Sequence, residues 1–114
     1  MLKKDILRRR EDFSAIYKRG KSVGERYVVV FYKRNNLSYN RIAFLASKKV
    51  GNSVKRNRAR RLMKESFRFL KDNIQTGYDI IFIARTTIND RSFFDVKKSM
   101  YNALRKAKLY EIKK

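Results

Sequence analysis

Gly51-Asn-Ser-Val-Lys-Arg-Asn-Arg-Ala-Arg-Arg-Leu-Met-Lys-Glu-Ser-Phe-Arg-Phe-Leu-Lys71 is the stretch on which the reading of this chain turns. At about 100° per residue, Ala59, Leu62, Met63, Ser66, Phe67, Phe69 and Leu70 gather on one side of a helix. Arg56, Asn57, Arg58, Arg60, Arg61, Lys64 and Arg68 gather on the other. Asn52 or Ser53 can cap its start, because a short side-chain oxygen there accepts an otherwise unpaired backbone N–H. The segment therefore predicts an amphipathic helix whose apolar stripe must lie on something and whose outer face is basic.

Working outward, strands supply what the stripe lies on. Tyr27 to Tyr32 is β-branched and aromatic, with alternating sets Tyr27/Val29/Phe31 and Val28/Val30/Tyr32, and both sets are apolar. The alternation does not say which set takes the core. Ile42 to Ser47 reads as a strand pairing back on it as a hairpin across the polar residues 33–40. Tyr78 to Ala84 is nearly continuously apolar, as a central strand covered on both faces would be, and is expected to form the spine of the sheet. A short helix is expected at about 11–19, with Phe13, Ile16 and Tyr17 on one side and Gly20 as its stop. A last helix follows Asn89-Asp90, with Ser92 and Asp95 as a capping pair and Phe93, Val96, Met100, Ala103, Leu104 and Ala107 inward. Residues 1–10 carry Lys3, Lys4, Arg8, Arg9 and Arg10 against Asp5 alone, which suggests a mobile basic arm.

One domain accommodates 114 residues that are 43% hydrophobic, and the whole of 1–114 is read as a single domain. Lys plus Arg number 31 against 10 Asp plus Glu, a formal net charge of +21. Such an imbalance calls for a polyanionic partner. No apolar run approaches the ~20 residues that span a bilayer, and no stretch reads as a signal-peptide core, so a cytoplasmic location without membrane contact is expected. With no Cys and no His, disulfides, thiolate metal sites and the usual catalytic constellations cannot be assembled. Asp79, Asp90 and Asp95 stand alone in sequence and read as structural, so no metal site and no catalytic residue is assigned.

Residues 47–61 hold Lys48, Lys49, Lys55, Arg56, Arg58, Arg60 and Arg61 without an acid, across a strand end, a glycine turn and a helix start. Phosphates are attracted there by side-chain charge and by the free N–H groups of the helix N-terminus. The run Ser47-Lys-Lys-Val-Gly-Asn-Ser-Val-Lys-Arg-Asn-Arg-Ala-Arg-Arg-Leu62 resembles the signature region of the bacterial ribonuclease P protein, with Arg56-Asn57-Arg58 matching its Arg-Asn-Arg motif. Glu11-Asp12-Phe13, Lys18-Arg19-Gly20 and Ile83-Ala84-Arg85 extend the likeness to roughly residues 8–108. Ser53, Arg60, Lys64 and Tyr17 depart mildly from the family pattern, and none of these changes removes a charge or an aromatic plane.

The resemblance implies an α+β fold, a single-domain α-β-β-β-α-β-α sandwich with a small mixed sheet and a left-handed β-α-β crossover, against the usual hand. It implies that the basic helix, through Arg56, Asn57, Arg58, Arg60, Arg61, Lys64 and Arg68, docks on the catalytic RNA. It also implies that a cleft formed by Phe13, Tyr17, Val29, Phe31 and Lys48 holds the single-stranded 5′ leader of precursor tRNA. Phosphodiester hydrolysis would then be carried by the ribonuclease P RNA and its Mg²⁺, with no cofactor bound by the protein, which would act as a monomer in the complex. A basic ribosomal-type structural protein shares the size and charge. A protein-only nuclease would need clustered carboxylates, and a DNA-binding helix-turn-helix is disfavoured because two strands separate the basic helix from the one before it.

Overall fold

The computed structural model of the chain describes residues 2–112. Its principal elements are α1 (Arg10–Arg19), β1 (Lys21–Gly24), β2 (Val28–Arg34), β3 (Arg41–Leu45), α2 (Ser53–Leu70), β4 (Tyr78–Ala84) and α3 (Phe93–Lys106). The strands form one mixed sheet in the order β1-β2-β4-β3. β4 is its spine, antiparallel to β2 and parallel to β3. Three helices on a four-stranded mixed sheet give the expected α+β architecture.

The hairpin expected between 27–32 and 42–47 does not form. The inner edge of β2 is taken by β4, and its outer edge pairs with β1, a short polar strand that periodicity does not reveal. β3 is carried across to the far side of β4, where Arg41 stands opposite Asp79, Ile42 opposite Ile80 and Phe44 opposite Phe82. The match of a cation to an acid and of apolar to apolar residues fixes this register. Asn40 holds the crossing: its side-chain oxygen accepts from the Tyr78 N–H at 2.9 Å and its amide donates to the Gln75 carbonyl at 2.9 Å.

Alternation along the strands divides two cores. On one face Val28, Val30, Ile42, Phe44, Ile80 and Phe82 meet Ala59, Met63, Phe67 and Leu70 of α2 and Val96, Met100, Ala103 and Leu104 of α3. Phe44, Phe67 and Phe82 pack with ring centroids 5.5–6.0 Å apart. On the other face Ala43 and Ile81 join Ile16 of α1 and Leu7 in a smaller cluster, edged by Phe13, Phe31, Leu45 and Ile83. The expectation of an unpacked arm at 1–10 is corrected there: Leu7 is buried, its N–H donates to the Ile42 carbonyl at 3.0 Å, and Ile6 bridges to Ile42. An apolar pair inside the basic run drives this, by covering part of the β3 edge. Met1 lies outside the described residues.

Phe69, expected on the buried side of α2, is 61% exposed. The buried stripe is the narrower Ala59, Met63, Ser66, Phe67 and Leu70, and Phe69 falls on its flank toward α3. At the start of α3 the Ser92 hydroxyl accepts from the Asp95 N–H and the Asp95 carboxylate accepts from the Ser92 N–H, the reciprocal cap anticipated from sequence. Phe93, the first residue of that helix, is half-buried rather than inward.

Candidate nucleic-acid interface

Two surfaces with different chemistry lie on opposite faces of the sheet. The first is built by α2. Gly51 precedes it at φ +147°, a conformation that side chains with a Cβ rarely adopt, and Asn52 then caps the helix by accepting from the Lys55 N–H at 3.0 Å. The short turn at 47–51 is closed by Val50 and Gly51 N–H groups donating to the Ser47 and Lys48 carbonyls, while Asn89 donates to the Val50 carbonyl at 2.7 Å. Lys48, Lys49, Lys55, Arg61, Lys64 and Arg68 are exposed around this helix start and along its outer side.

The basic face is not uniform. Arg56, Arg58 and Arg60 are half-buried and tied down within the chain. Arg56 donates to the Ser53 hydroxyl at 3.2 Å, Arg58 donates to the Arg91 carbonyl at 2.7 Å, and Arg60 donates to the Asn57 side-chain oxygen. Asn57 therefore orients a guanidinium as well as standing exposed itself. Arg68 pairs with Glu65 at 3.2 Å, which reduces its free charge. Arg60, Lys64, Arg68 and Lys71 line a groove of about 810 Å³ that takes in Phe44 and Phe67 and runs round the β3 edge to Leu45, Leu7 and Phe13 on the α1 side.

The second surface lies between α1 and the sheet. Phe13 and Tyr17 are one helical turn apart with ring centroids at 6.5 Å, and Tyr17 meets Phe31 edge-on at 5.0 Å. Val29 and Phe31 point to this side, whereas Val28 and Val30 are wholly buried on the other, so Val29 and Phe31 share the α1 side. Tyr27, grouped with them by alternation, instead packs against the main core before β2 begins. Tyr17 remains 43% exposed, and partial burial pushes its phenol pKa up. Lys48 is exposed in the turn after β3, at the sheet end where the register aligns Val29, Ile83 and Leu45 in a row. Ile83 and Leu45, half-buried at the cleft, were not singled out from sequence. Their signal is the alternation of Ile81/Ile83 against Ile80/Phe82, readable only once the pairing partner of β4 is known.

The close seating of α1 on the sheet beside this cleft depends on Gly20. A Cβ at that position would lie 2.5 Å from the Ile16 carbonyl oxygen and 2.6 Å from that of Tyr32, so only glycine lets α1 end this close to β2. Among the described residues no three His, Cys, Asp or Glu side chains gather as a metal site. Asp79 is buried and serves structure: Arg41 grips its two oxygens at 2.8 and 2.7 Å, and Asn35 donates to it at 3.0 Å.

Comparison with known proteins bears on the whole arrangement. The Ribonuclease P family model matches residues 1–108. The chain is 48% identical over 99 residues to the ribonuclease P protein component of Thermoanaerobacter sp. (strain X514), covering 87% of this chain and 85% of that protein. The solved RNase P protein of Staphylococcus aureus superposes with a TM-score of 0.85 at 34% identity, over 94% of this chain and 98% of that one. That of Thermotoga maritima superposes with a TM-score of 0.81 at 33% identity, over 89% and 96% respectively. With the Arg56-Asn57-Arg58 helix start, the mixed sheet and the aromatic cleft all in one frame, the chain belongs to the ribonuclease P protein family.

Proposed function

We propose that this chain is the protein subunit of a bacterial ribonuclease P ribonucleoprotein, and that it holds precursor tRNA for endonucleolytic removal of the 5′ leader. The observation that carries this reading is the presence of two chemically distinct polyanion-suited surfaces built on opposite faces of the sheet and meeting at the β3 edge. One is basic and helical, suited to a folded RNA through Arg56, Asn57, Arg58, Arg60, Arg61, Lys64 and Arg68. The other is aromatic, with Phe13, Tyr17 and Phe31 in ring contact, Val29 on the same side of β2 and Lys48 exposed in the turn after β3, suited to an unpaired strand whose bases stack. A protein that only scaffolds folded RNA needs the first surface and has no use for the second.

In this account the protein performs no bond chemistry. Its residues hold the leader against ring faces, neutralise phosphates and reduce repulsion between two RNAs, while Mg²⁺ bound to the catalytic RNA supplies the metal-assisted attack of water. The test compares precursor and mature tRNA. Tyr17→Ala and Phe31→Ala are expected to weaken binding of the precursor by about 1–3 kcal/mol for each stacked base lost, and to leave mature tRNA binding unchanged. Tyr17 is the cleaner site because its exposed ring contributes little to the core. Equal losses for both substrates would contradict the leader cleft.

A further inference from the structure

A third surface, again aromatic, lies on the helical layer away from the leader cleft; Tyr101 and Tyr110 edge the main core there, but the core does not account for Phe69 and Phe94. Phe94 is 75% and Phe69 61% exposed. The Phe69 ring centroid is 5.5 Å from that of Phe93, which is 5.3 Å from that of Phe94. The Lys97 ammonium stands 5.1 Å from the Phe69 ring centre. Farther along α3, the Arg105 guanidinium donates to the Tyr101 hydroxyl at 2.7 Å, and Tyr101 meets Tyr110 edge-on at 5.0 Å.

Phe94, Lys98, Tyr101 and Arg105 recur at i, i+4, i+7 and i+11, which places them on one stripe of α3 roughly 16 Å long. A pocket of about 400 Å³ between this stripe and α2 is lined by Phe69, Phe94, Tyr101 and Tyr110 with Lys97 and Lys98, and by no acid. The neighbouring Asp95 is occupied in capping its own helix. Exposed ring faces interleaved with cations suit unpaired nucleotides, whose bases stack and whose phosphates pair. An apolar protein partner would need the rings and not the lysines.

The strip borders the basic face of α2 at Arg58. Phe69 lies on the α2 stripe that starts at Arg58 and runs through Leu62 and Glu65, and Arg58 reaches across to the Arg91 carbonyl just before α3 begins. The leader cleft, in contrast, lies on the opposite face of the sheet. We propose that the α2–α3 strip of Phe69, Phe94, Lys97, Lys98 and Tyr101 is a stacking platform for unpaired nucleotides of the same RNA that docks on α2. This rests on the reading of α2 as the face that docks the RNA subunit.

The chain has no Trp, so Phe94→Trp installs a single reporter at the strip. Its emission is expected to be quenched when ribonuclease P RNA is added and to stay unchanged with a single-stranded leader oligonucleotide. Phe69→Ala/Phe94→Ala is expected to lower affinity for that RNA about tenfold, with Phe94→Tyr keeping affinity and Phe94→Leu losing it, since leucine keeps apolar area without a ring face. Full affinity in the double alanine variant, beside weakened Arg56→Ala/Arg60→Ala, would overturn the strip and leave the α2 reading intact. Full affinity in both variants would remove both readings. Quenching by the leader oligonucleotide would reassign the strip to the substrate. A concentration-dependent dimer in sedimentation that Phe94→Ala abolishes, with RNA affinity unchanged, would reassign it to a second copy of the chain.

Discussion

Asp79 shows how a single carboxylate organises this molecule. Its side chain accepts a forked pair from Arg41, whose remaining nitrogen reaches Asp12 at 3.3 Å, so one cluster joins α1, β3 and β4. Hydrogen bonding to Asp79 holds the Arg41 pKa above its ordinary value, so the pairing favours the charged guanidinium. Asp79→Ala leaves Arg41 without its main partner in a half-buried site. A loss of about 2–4 kcal/mol is expected in urea unfolding, less than for a fully buried pair because Arg41 keeps some water. A loss below about 1 kcal/mol would mean that the cluster behaves as an ordinary surface bridge. Sequence identified Asp79 as structural but not its partner, because Arg41 lies 38 residues away and pairing at that distance is set by strand order. Phe69 was misread for a related reason: seven positions were assigned to a stripe that the sheet and α3 narrow to five.

At the scale of elements, α2 was legible because its period, cap and charge all agree within one segment. Its observed span, Ser53–Leu70, and the capping role of Asn52 follow from local rules. β3 was legible as a strand but not in its partner. A run such as Ile42 to Leu45 presents the same alternation to either neighbour, and the decision comes from Asn40 and Arg41 gripping the β4 start. β1 was invisible because Lys21, Ser22 and Gly24 carry no apolar pattern, and it exists only as an edge paired to β2. The contact of α1 with β2 yields a prediction at this scale. Gly20→Ala would push a methyl group into two backbone carbonyls, neither of which can rotate away. The expected result is a loss of about 1–3 kcal/mol in stability together with weaker binding of single-stranded RNA, measured by thermal melting and by fluorescence anisotropy. Unchanged leader binding would show that the cleft does not depend on how closely α1 is seated.

For the whole molecule, the net charge is +21, and charge alone does not separate a leader-holding subunit from a ribosomal-type protein. The proposed function rests instead on geometry, since the sheet places the aromatic cleft behind it and the basic helix in front. Binding of ribonuclease P RNA is expected to be strongly salt-dependent: with 6–10 phosphate contacts, affinity should fall by about 10³ to 10⁵ between 50 and 200 mM salt. A filter-binding titration measures this slope, and a flat response would contradict an interface built on Lys and Arg. The measurement that bears most directly on the account is leader cleavage of precursor tRNA at low Mg²⁺, comparing ribonuclease P RNA alone, this protein alone and the two combined. The account predicts cleavage only in the combination. No cleavage in the combination, with the RNA active at high Mg²⁺ and a working protein subunit as control, would contradict it, and cleavage by the protein alone would overturn the assignment of the chemistry to the RNA.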